Sequence, residues 1–131
     1  MAQKYDQEDR LLEFATGIIR LVEQMPNTRS ANHVSGQILR SGTSPLFNHG
    51  EAQAAESPKD FLHKLRVCLK ELRETNRALR LIMNADLAED KDKATNLLNE
   101  SDELIRIFVA SIRTAEQKVL REDDADGYNT K

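Results

Sequence analysis

Apolar residues recur at helical spacing over four long stretches, with polar or proline-bearing breaks between them. Asp6 is suited to cap a helix, with Asp9 in its first turn. Beyond it come Leu11, Leu12, Phe14, Ala15, Ile18, Ile19, Leu21, Val22 and Met25, a helical period rather than an alternation. Pro26 and Asn27 end that helix, because the residue before a proline is pushed out of the α region. A second helix is expected from near Thr28, with a seam of Val34, Ile38, Ser41, Pro45, Asn48, Ala52 and Ala55. Pro45 inside it removes the bond to the Ser41 carbonyl and forces a kink. The alternative is a break, with Ser44 as a new cap and Pro45 at the first helical position. Of the two, one kinked helix is preferred.

The third helix has a clearer start. Ser57 caps, Pro58 takes the first position, and Asp60 resembles a capping-box acid. No breaker follows until about Ala85, and the expected seam is Leu62, Leu65, Leu69, Leu72, Asn76, Leu79 and Met83. At about 1.5 Å per residue this helix reaches roughly 40 Å. A polar turn spans Asn84 to Asp92. The fourth helix then turns Leu97, Leu98, Ser101, Leu104, Ile105, Phe108, Ile112, Ala115 and Val119 inward. Short connections between long helices predict an all-α, up-down-up-down antiparallel four-helix bundle over residues 1–121. Residues 122–131 carry four acids and one base without apolar periodicity, and are expected to form a disordered acidic tail.

Composition narrows the function. The 131 residues include 39% apolar and 31% charged side chains, a balance suited to narrow apolar stripes on long helices. Five Gly and three Pro are too few turn-formers for a many-stranded sandwich or barrel. One cysteine, Cys68, excludes an internal disulfide and a cysteine-based zinc site. The polar, acidic N-terminus is not a secretory signal, and no run approaches the roughly 18 apolar residues of a membrane span. A cytoplasmic protein with no membrane partner is expected.

Catalytic and metal-binding readings find little support. Carboxylate-bridged bundles need inward-facing Glu-x-x-His pairs. This chain offers only Asp60-x-x-His63, off the apolar seam, and His33 and His49 have no ligand-spaced partner. Cys68 reads as a buried, inert thiol. Ser41, Thr43 and Ser44 lie near His49 in sequence, yet nothing supplies a base-orienting acid or an oxyanion loop. No enzyme activity, cofactor or small-molecule substrate is expected.

Charge is more informative. Lys59, His63, Arg66, Lys70, Arg73, Arg77 and Arg80 follow one another at spacings of four and three along the third helix. Residues 59–80 hold seven Lys or Arg against three acids, in a chain whose net charge is -3. Such a stripe matches the electrostatic footprint of a protein that contacts phosphate backbones. No aromatic interleaves it, so base stacking is not indicated. The same stripe also suits a solvated face, or ion pairs with a neighbouring helix or subunit. The second helix is rich in small residues, and Asn48 falls on its seam. A buried Asn needs a partner, for which Glu51, one turn away, is the candidate; alternatively Glu51 bonds a backbone amide.

Arg40-Ser41-Gly42-Thr43-Ser44, Asn48, Glu51-Ala52, Ala55-Glu56-Ser57 and Asp60-Phe61-x-x-Lys64-Leu65 resemble a bacterial four-helix-bundle family. That family is named for proteins encoded in intervening sequences of 23S rRNA genes, and also carries the label S23 ribosomal protein. Leu11-Leu12-x-Phe14-Ala15 and Leu69-Lys70-Glu71-Leu72-Arg73-Glu74-Thr75 resemble it too, so the likeness spans roughly residues 6–121. Pro45-Leu46-Phe47 and His49 depart from the small residues and the Tyr common there. The resemblance implies a ring-like homopentamer. It also implies kinship to the accessory protein of diversity-generating retroelements, a basic pentamer that contacts nucleic acid and a reverse transcriptase.

Two readings follow. In the first, a non-catalytic homo-oligomer contacts RNA or DNA through Lys70, Arg73, Arg77 and Arg80, with Lys59 and Arg66 in support. In the second, an interaction scaffold spends that stripe on acids such as Glu100, Asp102 and Glu103 of a neighbouring subunit.

Overall fold

Each helix begins where a side-chain oxygen can accept from an otherwise unpaired backbone N–H. In the computed structural model, which describes residues 6–129 and the side chains of 6–125, Asp6 accepts from the Asp9 amide at 2.9 Å. Thr28 accepts from Ala31 at 3.2 Å, Ser57 from Asp60 at 3.0 Å and Asp90 from Lys93 at 3.0 Å. These residues open α1 (Gln7–Glu23), α2 (Arg29–Gln53), α3 (Pro58–Asn84) and α4 (Lys91–Asn129). A cap of this kind contributes about 1 kcal/mol. The far end of α3 closes with the Leu87 amide on the Ile82 carbonyl (2.9 Å) and Asp86 on Met83 (3.2 Å). That closure needs a left-handed residue, and Asp86 takes it at φ 58°.

The four helices alternate in direction. α1 packs on α2 and α4, α3 packs on the same two, and the backbones of the diagonal pairs stay apart. Phe14, Ile18 and Leu21 of α1, Ile38 of α2, Leu72, Leu79 and Ile82 of α3, and Leu104 and Phe108 of α4 are buried between them. Burying a large apolar side chain contributes about 1.5–3 kcal/mol. A handful of these outweighs every cap, so the core sets which face of each helix turns inward.

Three expectations meet the structure here. First, α2 is one continuous helix from Arg29 to Gln53 with Pro45 inside it, as the preferred one-helix reading had it, and the alternative break with a new cap at Ser44 does not occur. Pro45 is fully buried, and its carbonyl accepts from the Cys68 thiol at 3.6 Å. Second, α3 buries Cys68, Thr75 and Ile82, each one residue before the expected Leu69, Asn76 and Met83. The cause is that α3 meets a helix on each side. Cys68 and Thr75 face α2, where Thr75 Oγ1 donates to Ser41 Oγ at 2.9 Å. Asn76 faces α4, where it donates to Ser101 Oγ at 2.8 Å. Third, α4 runs on to Asn129, so Glu122–Asn129 are helical where a disordered tail was expected. Extending a formed helix needs no new nucleus, and no proline interrupts this stretch. Thr130 and Lys131 lie outside the described residues.

A close helix–helix approach is made at Gly42. A Cβ there would meet Ile18 Cγ1 at 2.8 Å, Cγ2 at 3.0 Å and Cβ at 3.3 Å. Ile18 is fully buried and β-branched, so it cannot swing aside. Gly36 faces open space on the same helix. Gly42→Ala is therefore expected to destabilise the fold by about 1–3 kcal/mol, whereas Gly36→Ala should stabilise it by about 0.5–1 kcal/mol. Urea unfolding followed by circular dichroism checks both; equal effects at the two sites would refute the packing account.

Candidate nucleic-acid interface

The capped start of α3 and its two-sided burial leave one face outward. Lys59, His63, Arg66, Lys70, Arg73, Arg77 and Arg80 all lie exposed on it. Their surroundings differ along its length. Near the start, Lys59 Nζ lies 3.5 Å from Asp123 and Arg66 donates to Glu116 at 2.8 Å, both acids belonging to α4. In the middle, Lys70 has only long contacts, 4.0 Å to Glu71 and 3.9 Å to Glu74. Arg73, Arg77 and Arg80 make no ion pair or hydrogen bond with any described residue. Exposed single pairs contribute about 0–1 kcal/mol, so the bonds on Lys59 and Arg66 hold those cations weakly.

Two grooves run along this surface. One, of about 440 Å³, is lined by Arg66, Leu69, Lys70, Arg73, Glu74 and Arg77. The other, of about 420 Å³, lies between α2 and α3 and includes Gln37, Arg40, Glu74, Arg77 and Leu81. Arg40 was not among the sequence-derived candidates. It stands far from Arg77 in the chain, and only the α2–α3 register, set by Ser41 on Thr75 and Pro45 on Cys68, brings them to one groove. Between the rows, Glu71 has its carboxyl pushed up by burial and by Glu74, with Lys70 and Arg40 pulling it back.

The Ser41-to-Glu51 string is structural in its contacts. Ser41 is buried against Thr75, and Gly42 admits Ile18. Thr43 donates back to the Leu39 carbonyl at 2.7 Å. Asn48 is half-buried and does not pair with Glu51. Its amide donates to the Ser44 carbonyl at 3.1 Å and to Ser44 Oγ at 2.9 Å. Glu51 is instead exposed and accepts from Lys64 of α3 at 2.8 Å. One turn back along α2 is the nearest polar group for Asn48, while Glu51 sits on the flank that meets α3. The acids considered for intersubunit pairing are occupied within the chain. Glu100 binds Arg10 (2.7 and 3.0 Å), Asp102 accepts from Asn76 at 2.9 Å, and Glu103 accepts from Arg106 at 2.6 Å.

Elsewhere the chemistry is quiet. Cys68 is buried, and burial pushes its thiol up to about 12, so little reactive thiolate exists near neutrality. Among the described residues no three His, Cys, Asp or Glu side chains gather as a metal site would require. No described helix is long and apolar enough to cross a membrane. A cavity of about 670 Å³ lies at the α2–α3 connection against α4 and is lined by Ala52, Ala55, Phe61 and Ala115 with a polar rim.

An antiparallel four-helix bundle is the class these features define. The family model described as 23S rRNA-intervening sequence protein matches residues 4–110, and the chain belongs to that family. It is also similar to the 1.70 Å crystal structure of a protein of unknown function from the S23 ribosomal protein family of Bacteroides thetaiotaomicron. The identity is 35%, over 80% of this chain and 96% of that one, with a TM-score of 0.73. No curated protein matches the chain.

Sequence reasoning also passed over His49 as a buried group. It points from α2 into the bundle interior, its ring edge-on to Phe108 of the diagonal helix α4 at 6.2 Å. Nε2 lies 3.4 Å from the Gln53 amide, whereas Nδ1 is buried without a hydrogen bond, 4.0 Å from Glu8. Burial lowers the His49 pKa, against the opposing pull of Glu8 and Asp6. A lowered histidine pKa favours the neutral ring in the folded state. Its contribution is therefore complete above the unfolded value near 6.5 and is lost as pH falls below it. The melting temperature should drop more steeply between pH 7 and 5 in the natural chain than in His49→Phe. Parallel pH profiles for the two proteins would contradict this assignment.

Proposed function

We propose that this chain is a non-catalytic, homo-oligomeric protein of the cytoplasm that contacts the phosphate backbone of RNA or DNA through the outer face of α3. The observation that carries the reading is the set of three guanidinium groups, Arg73, Arg77 and Arg80, exposed and without an acid partner among the described residues. Unpaired surface cations on one rigid helix are free to replace the counterions of a polyanion, and releasing those counterions drives association. Lys70 joins them with its long, weak contacts. Lys59 and Arg66 support them at the end where α4 supplies acids. Backbone contacts position a ligand without reading its sequence, so weak sequence preference is expected.

Assembly as a homopentamer, the form the family resemblance implies, would present several such faces together and raise avidity. Apolar side chains left in the open are consistent with subunit contacts. Leu12 of α1 is 51% exposed and Phe47 of α2 is 66% exposed. Because Glu100, Asp102 and Glu103 are engaged within the chain, apolar contact is the better candidate than charge pairing for holding subunits together.

Arg73→Glu, Arg77→Glu and Arg80→Glu combined should weaken RNA binding at low salt at least about a hundredfold, with far-UV circular dichroism unchanged. Absence of RNA and DNA binding by the natural chain at low salt would end this reading. Light scattering across a salt series should show one oligomeric mass throughout, since apolar burial is not screened by ions. Dissociation into monomers as salt rises would return the stripe to a role in subunit pairing.

A further inference from the structure

The two grooves flanking Arg77 meet. Glu74 and Arg77 line both, so the two adjoin, and between them they extend from Arg66 on α3 to Arg40 and Gln37 on α2. Cations therefore stand on two packed helices rather than on one. Resting on the proposed backbone contact, we infer that the ligand is double-stranded, with one phosphate strand against Arg66, Lys70, Arg73 and Arg77 of α3 and the second against Arg40 of α2.

Three physical points lead there. Packed helices lie about 8–10 Å apart, a separation that falls between the widths of the minor and major grooves, roughly 6 and 12 Å. A single strand has no second phosphate row to meet Arg40. Next, a duplex carries one charge per about 1.7 Å of axis, so the roughly 21 Å between Arg66 and Arg80 faces a dense counterion cloud. Finally, single-strand binders add aromatic platforms on which bases stack. Neither groove contains an aromatic side chain. Phe47, the exposed aromatic nearest in chain to Arg40, lies two turns further along α2 and lines neither groove. The α3 helix is held between α2 and α4 and offers only one face. It can lie across the phosphate rows but cannot bury itself in a groove to read bases.

The test uses fluorescence anisotropy with the full chain and four probes of equal length: an RNA duplex, a DNA duplex, and an unstructured single strand of each. Both duplexes should bind at least about tenfold more tightly than their single strands. The slope of log affinity against log salt should be about -4.5 per face, near -0.9 for each phosphate that the five cations neutralise. Arg40→Gln, at an exposed position, should weaken duplex binding several-fold and leave single-strand binding unchanged. Phe47→Ala should change neither. Single strands bound as tightly as duplexes, or a loss of affinity in Phe47→Ala with none in Arg40→Gln, would overturn the duplex assignment while leaving backbone contact standing. Failure of all four probes to bind would overturn the proposed function itself.

Discussion

The bundle depends on α3 being buried along two sides at once. Leu62, Leu65, Cys68, Leu72, Thr75, Leu79 and Ile82 form one inward band between α2 and α4. Seven buried positions of this kind contribute far more than caps or surface ion pairs. Because the band occupies both flanks, Lys59, Arg66, Lys70, Arg73, Arg77 and Arg80 are left on the remaining outward face, while Lys64 and Glu71 sit at its α2 edge. The alignment of its cations is thus a by-product of where its leucines must go.

That confinement also orders the polar contacts. Thr75 reaches Ser41 on one side and Asn76 reaches Ser101 and Asp102 on the other. A hydrogen bond of this type is worth about 1 kcal/mol net, yet an unmade one in the core costs more. These pairs therefore hold the register of α3 against both neighbours more than they add stability. Register in turn decides which surface groups meet. Arg40 joins Arg77 in a groove, while Glu116 and Asp123 are placed beside Arg66 and Lys59. One end of the cation row is partly neutralised and the other is not.

Much of this was legible in the chain. Helical spacing, the capping residues Asp6, Thr28 and Ser57, and the proline at the start of α3 marked the elements, because those signals act within a few residues. The family resemblance named the fold on the Ser41-to-Glu51 string, and that string serves packing: a buried serine, a glycine against Ile18, an asparagine satisfied by its own helix. Three points were less accessible. A strict heptad count placed the α3 seam one residue late at Leu69, Asn76 and Met83, since a helix with two neighbours buries a wider band than a coiled-coil seam. Pro45 left one kinked helix and a break both open, and α2 continues through it as one helix, the preferred reading. The acidic end of α4 read as tail, whereas the helix carries on.

The sequence alone determined the number and kind of elements, their order, and the face of α3 on which the cations lie. Each follows from local periodicity and from the cost of exposing apolar surface. Only the tertiary structure decided which of those cations remain without partners, that Arg40 stands beside Arg77, and that His49 is buried beside Glu8 with an unsatisfied nitrogen. These depend on the rotation and sliding of one helix against another, quantities fixed by side-chain interlocking between segments distant in the chain, to which no local pattern is sensitive.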